Sequence, residues 1–287
     1  MTVKRVIIAF IITAAAAGSG YASYAPSDTV SVLWDEGTVA SVTRYDAAAD
    51  EQGLPVDYAA SSESLSRARM AAYSSAKENA KELIATALRS IQADGKTDIG
   101  TILDTDPITQ ESVSRLLDTK ISSKEHPSGF MEACCSASLK LSDLAAALPF
   151  DFPEEQFPVG IKNALATEYT SLIIDVRGKG VEPMIFPSVY DQDGLEIYGR
   201  RYVLKTTACS KGIVHWCRNE KAARALPIAG QHPYYTAALS SVNGSPVVSR
   251  TDSRRILAHK RTLDRLRKCA VIFIIDIKEK KAEGMRR

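Results

Sequence analysis

Residues 171–199 read SLIIDVRGKGVEPMIFPSVYDQDGLEIYG, and the reading of this stretch decides the fold. It opens on a near-continuous apolar run, Leu172 to Val176, of strand length. The RGKG that follows frees the backbone at Gly178 and Gly180 and reads as a bend after that strand. Two more apolar segments, MIFPSVY and LEIYG, flank Asp191-Gln192-Asp193-Gly194. Asp191 and Asp193 can bond local backbone and Gly194 can take positive φ, so these four residues read as a hairpin turn. A calcium loop would need a carboxylate at each end of its ligand run, where Val189 and Arg200 stand. A phosphate cradle around Asp175, Arg177 and Glu182 lacks the spacing of either nucleotide-binding glycine motif. The acidic groups of this stretch are therefore read as turns and polar faces of a small sheet.

Working outward, YYTAALSSVNGSPVVS adds strand segments around Asn243-Gly244, a strong hairpin signal. TDSRRILAHKRTLDRLRK is amphipathic, with Ile256, Leu257, Leu263 and Leu266 on the apolar side, and CAVIFIIDI is a fully buried strand. Upstream, PFDFPEEQFPVG holds three prolines and reads as a linker. Before it, TVSVLWDEGTVASVT gives two short β-branched segments. From Ser62 to about Ala93, Leu65, Ala68, Ala72, Ala76, Ala80, Leu83, Ala87 and Ile91 recur every three or four residues. Ser61 or Ser62 caps this helix. A stripe of small side chains lets a helix lie close to what it covers, so it is placed flat on a sheet. A shorter helix is expected from about Thr109 to Asp118, and FMEACCSASLKL alternates as a half-buried strand.

The fold class is thus α+β: a small N-terminal sheet covered by a long Ala-rich helix, then a second α+β domain with a mainly antiparallel sheet and one C-terminal amphipathic helix. The expected boundaries are a signal peptide at 1–22, a first domain at 23–148, the linker at 149–160, a second domain at 161–277 and a basic tail at 278–287. The signal reading rests on Lys4 and Arg5, the apolar run Val6–Ala17 and the small residues after it, with cleavage after Ala22. No Cys follows that run to take a lipid. The expected location is the periplasm or the outer membrane.

The 287-residue chain carries a net charge of +2. Removal of Lys4 and Arg5 would leave it neutral, with 13 Lys/Arg against 5 Asp/Glu between Arg250 and Arg287. Arg250, Arg254, Arg255, Lys260, Arg261, Arg265 and Lys268 form a candidate basic interaction surface, able to attract anionic lipid or an acidic partner. No aromatic residues interleave with these charges, and nucleic acid is not an expected partner. Of five cysteines, Cys134 and Cys135 are adjacent in a strand and point to opposite faces. Cys209 and Cys217, in CSKGIVHWC, form a candidate disulfide, the alternative being two separate thiols. A zinc site on Cys209, His215 and Cys217 would want a fourth ligand, with His232 alone nearby. No catalytic, cofactor or metal constellation is assigned.

The order of strand pair, long helix with SLSRARMAAYSSAKENAKELI, short helix and alternating strand resembles the LPP-twenty lipoprotein family, a domain type also found in flagellar assembly protein T. The resemblance covers roughly residues 28–150 and centres on Ala68-Arg69, Ala71, Ala72, Ala76, Ala80 and Leu83. Residues 171–199, ARALPIAGQHPYYTAAL and TDSRRIL…LRKCAVIFIID resemble the domain that often follows in longer bacterial envelope proteins. The resemblance implies an envelope location, often with flagellar association, and no catalytic residues. The absent lipidated Cys departs from the lipoprotein pattern. The expected function is non-enzymatic, through contacts with envelope or flagellar proteins or with other copies of the chain. Alternatives are a small-ligand receptor or enzyme with an inter-domain site, and a membrane-surface binder using the basic end.

Overall fold

The computed structural model describes residues 28–47, 62–126, 129, 132–158 and 166–276. The expected signal peptide with its Ala22 cleavage, the Ser61 or Ser62 cap and the basic tail fall on residues or side chains outside that description. Among the described residues, no helix is long and apolar enough to cross a membrane. The fold is α+β, and the chain divides into two compact units that interleave along the sequence. The first takes in Met1–Leu33, Thr38–Arg89 and Ser114–Lys140; the second takes in Trp34–Gly37, Ser90–Val113 and Leu141–Arg287.

The first unit holds strands β1 (Thr29–Leu33), β2 (Thr38–Asp46), β3 (Ser122–His126) and β4 (Glu132–Lys140), and helix α1 (Ser62–Arg89). The strands form one antiparallel sheet in the order β1-β2-β4-β3. Helix α1 lies on this sheet through the predicted alanine stripe, with Ala68, Ala72, Ala76 and Ala80 all buried. Because these side chains are so short, the helix backbone comes within hydrogen-bond reach of the sheet. Ser41 Oγ donates to the Ala80 carbonyl at 2.8 Å and Thr43 Oγ1 to the Ala76 carbonyl at 2.6 Å. Cys134 and Cys135 are both buried.

The second unit contains α2 (Ile99–Thr105), the start of α3 (Pro107–Lys120), α4 (Leu141–Ala147) and two four-stranded sheets. One sheet is built from β5 (Leu172–Asp175), β8 (His215–Cys217), β9 (Tyr234–Ala237) and β12 (Val271–Ile274), in the order β8-β12-β5-β9. All of its pairings are parallel. The antiparallel pairing expected of this domain lies in its other sheet. The two central strands, β5 and β12, are short and apolar on both faces because both faces are covered there, as parallel sheets require. Helix α6 (Glu220–Ala225) and a 3-10 turn, Pro227–Ala229, pack Ala223 and Ala229 against Ile173, Cys217, Ile272 and Ile274. On the opposite face Tyr234 and Thr236 bond Asp252 of α7 (Arg250–Leu257).

The other sheet, β10-β11-β6-β7, comprises β6 (Val189–Asp191), β7 (Glu196–Tyr198), β10 (Ser240–Val242) and β11 (Ser245–Val248). Both predicted hairpins are here, β6 with β7 and β10 with β11. Asp191 Oδ1 accepts from the Asp193 and Leu195 amides at 2.9 and 3.0 Å, and Gly194 takes φ 80°. The expected single helix at 250–268 is two, α7 and α8 (Lys260–Arg267), with extended His259 capping the second. The stretch read as a linker is held within this unit over residues 149–158. Its aromatic side chains explain why: Phe157 stacks on Tyr202 at 4.9 Å, and Phe150 and Phe152 meet Phe186 edge-on.

Candidate functional site

The carboxyl ends of the parallel strands and the edge beside them carry the exposed chemistry of the second unit. Strand β5 ends at Asp175, and the chain turns at once, the Lys179 amide donating to the Val176 carbonyl at 3.2 Å. Gly178 and Gly180 take φ 69° and 71°, which is why glycine stands at both places. Arg177 folds back on Asp175, with Nε to Oδ1 at 2.9 Å and Nη2 to Oδ2 at 2.5 Å. Tyr235 donates its hydroxyl to Asp175 Oδ2 at 3.3 Å. The Arg177 bonds hold the Asp175 carboxyl below its ordinary range, and burial pushes the Tyr235 phenol up. A carboxylate engaged by three side-chain donor atoms and kept ionised is a poor proton acceptor near neutral pH. This cluster fixes the end of β5 and positions Tyr235; it does not assemble an acid–base pair.

Among the described residues, strand β9 is an edge, paired only with β5, and β10 is an edge of the other sheet, paired only with β11. The chain runs from one edge into the other without interruption. From Tyr234 to Leu239 burial alternates residue by residue, so Tyr235, Ala237 and Leu239 stand exposed. The Tyr234 and Ala238 amides donate inward, to the Ser171 and Asp175 carbonyls. By alternation the amides of Tyr235 and Ala237 face the open side. Leu239 and Val242 are each 48% exposed. Ser241 Oγ bonds the Gly180 carbonyl at 3.0 Å, tying the edge to the glycine turn.

The structure separates the residues of the expected basic surface into engaged and open groups. Arg250 pairs with Asp193, and Arg261 and Arg265 share Glu168 at 3.1 Å each. Arg255 lies by the Tyr234 hydroxyl, which raises its pKa, while Arg254, Lys260 and Lys268 are exposed. The acidic partners, Asp193 and Glu168, stand in loops distant in sequence, which no local pattern announces.

Cys209 and Cys217 are not joined: all five cysteines are free thiols. Cys217 points from β8 into the apolar cluster under α6, whereas Cys209 is half-buried on α5 (Lys205–Lys211). Burial raises both thiols, Cys217 to about 11. His215 sits at the start of β8 and His232 stacks on Tyr169 at 5.4 Å. Among the described residues, no three His, Cys, Asp or Glu side chains converge to hold a metal.

Residues 171–277 match the family model described as Treponema pallidum Tp0624, second domain. The matched span contains both sheets of the second unit, the glycine turn and the open edge. A comparison with curated proteins finds no match to the chain.

Proposed function

We propose that this chain is a non-enzymatic, exported protein of the bacterial envelope that works by protein–protein contact, with residues 234–242 as its docking strand. The carrying observation is that YYTAALSSV, the sequence of that open edge, contains no charged residue, proline or glycine. Natural sheets guard their edges with such residues, because unpaired backbone recruits another strand. An unguarded edge with half-exposed Leu239 and Val242 suits an extended segment of a partner, added by backbone hydrogen bonds and held by side-chain contacts on alternate residues.

The likeness of residues 28–150 to the LPP-twenty and flagellar assembly T domains supports an envelope setting and an assembly role. The basic helices enter as a secondary surface, since Arg250, Arg261 and Arg265 are engaged by Asp193 and Glu168. The test is a photo-crosslinking side chain placed at Leu239 in cells, with exposed Lys221 on α6 as the control position. The expected result is a discrete protein adduct at 239 that is absent at 221 and is lost when Val242→Lys is added. Adducts of equal yield at both positions, or none at 239 in a folded protein, would sink the reading.

A further inference from the structure

The fold gives Cys209 and Cys217, expected as a pair, different neighbourhoods. Cys217 faces the apolar cluster under α6, with Asp35 as its charged neighbour. Cys209 stands instead beside the segment that carries Cys269. At the start of α5 the Leu204 amide donates to the Arg267 carbonyl at 3.0 Å. Past the end of α5, Ile213 accepts from the Tyr198 hydroxyl, which lies beside the Cys269 thiol. In the strands that follow, His215 stands opposite Ile272, so Gly212 and Cys269 each lie three residues before that pair. Cys209 therefore sits between two points at which its own segment meets the Cys269 segment. The two thiols are near enough for the charge of one to act on the other.

The backbone on both sides bears on what this pair can do. Cys269 has φ 63°, in the left-handed region that glycine enters freely and other residues enter at a cost. A side chain kept in such a conformation points to a use for that side chain. Helix α5 is the adjustable partner, because it has only seven residues, no side-chain cap at its start and Gly212 at φ 82° behind it. A disulfide asks for Cα atoms roughly 4.4–6.8 Å apart, and a short uncapped helix can settle to that separation. Access differs between the two thiols. Cys209 is half-buried and can meet a reagent, whereas Cys269 is fully buried and is reached through Cys209.

We propose that Cys209 and Cys269 form a disulfide when the folded protein meets a disulfide donor, fastening α5 to the start of β12. The Cys209 thiolate attacks one donor sulfur, the donor disulfide breaks, and a mixed disulfide forms. The expelled donor sulfur takes up the Cys209 proton. Cys269 then attacks the Cys209 sulfur, and the second donor sulfur leaves with the Cys269 proton. Two protein thiols are oxidised and one donor disulfide is reduced to two thiols. In the cell this step rests on the export reading, since a reducing compartment keeps both cysteines as thiols.

The test treats the reduced, folded full chain with oxidised glutathione at pH 8. The sample is then quenched in acid, alkylated in denaturant and cleaved after Lys and Arg without reduction. Mass spectrometry should find peptide 206–211 linked to peptide 269–278, roughly tenfold or more above every other cysteine pairing. Alkylation should fall by two of the five thiols. The same treatment of the denatured chain should lose the preference, and Cys269→Ser should stop at a glutathione adduct on Cys209. A folded parent whose Cys209 stays free, or stays as the glutathione adduct with no linked peptide, would overturn the proposal. So would a Cys209–Cys217 link in its place, or a Cys209–Cys269 link no more abundant in the folded chain than in the denatured one. These readings are made on the parent chain, so a variant that fails to fold does not blunt them. Because the donor is supplied, failure strikes the cysteine pair and leaves the export reading standing.

Discussion

The contact between α1 and its sheet can be tested by lengthening one alanine. Ala80 is fully buried, and its carbonyl accepts the Ser41 hydroxyl at 2.8 Å. Ala80→Leu adds three carbons at one of the two places where the helix backbone bonds the sheet. Overpacking of this kind costs about 1–3 kcal/mol. If the helix lifts to make room, the Ser41 and Thr43 bonds go as well, at about 0.5–1.5 kcal/mol each. The sum is about 2–6 kcal/mol, a large part of the ~5–15 kcal/mol that keeps a domain folded. Ala87→Leu is the control: the side chain is only half-buried, and its cost should stay under about 1 kcal/mol. The assay is hydrogen exchange of the β2 and β4 amides in the full chain, which reads this unit without assuming that both units unfold together. Faster exchange in Ala80→Leu but not in Ala87→Leu is the expected outcome. If both variants protect β2 and β4 as well as the parent, the small stripe does not set the helix–sheet distance and the reasoning is wrong.

Two further predictions concern ionisable groups. Asp175 has a folded pKa below its ordinary value, so its stabilising contribution is complete above about pH 4 and is lost as pH falls through the lower folded value. Arg177→Met should move the Asp175 carboxyl midpoint upward in carbon-detected NMR; an unmoved midpoint would show that the pair is not held in solution. Burial raises Cys217 to about 11 and Cys269 to about 12, while Cys209 is only half-buried. Cys209 should therefore be alkylated well before the other two at pH 8, as mass spectrometry of timed aliquots would record. Equal rates for all three thiols would contradict the burial described.

Local chemistry made much of the fold readable. The alanine period announced both α1 and its flat seat on a sheet, because small side chains have one main use on a buried helix face. The Asp191–Gly194 and Asn243-Gly244 turns announced their hairpins, since each needs backbone freedom at one glycine. The parallel sheet was not readable in the same way. Its pairings join Leu172–Asp175 to Val271–Ile274 and to Tyr234–Ala237, across long stretches of chain, and nothing local encodes such a partner. The apolar runs at 172–176 and 271–275 carried the clue, being apolar on both faces, but the hairpin signals between them pointed to antiparallel pairing. The prolines at 149–158 suggested a spacer; Phe150, Phe152 and Phe157, which dock that segment, are ordinary aromatic residues until their partners are known.

The open edge was hidden for a related reason. In YYTAAL both alternate sets, Tyr234 with Thr236 and Tyr235 with Leu239, mix apolar and polar character, so the pattern does not say which side is covered. Only topology makes it an edge, and only then does the lack of charge become informative. The comparison with β3 shows why. That strand is also an edge, yet its sequence SSKEH carries Lys124 and Glu125, and a strand that joined it would have to desolvate both charges. Tyr234–Val242 offers no such resistance. A free edge of this kind invites uncontrolled self-pairing, so retaining it without a guard is costly unless something regularly covers it. Strand β1, TVSVL, is an uncharged edge as well, but Tyr234–Val242 is the longer and carries half-exposed Leu239 and Val242; that combination, rather than any polar constellation, is what supports a docking role for the second unit.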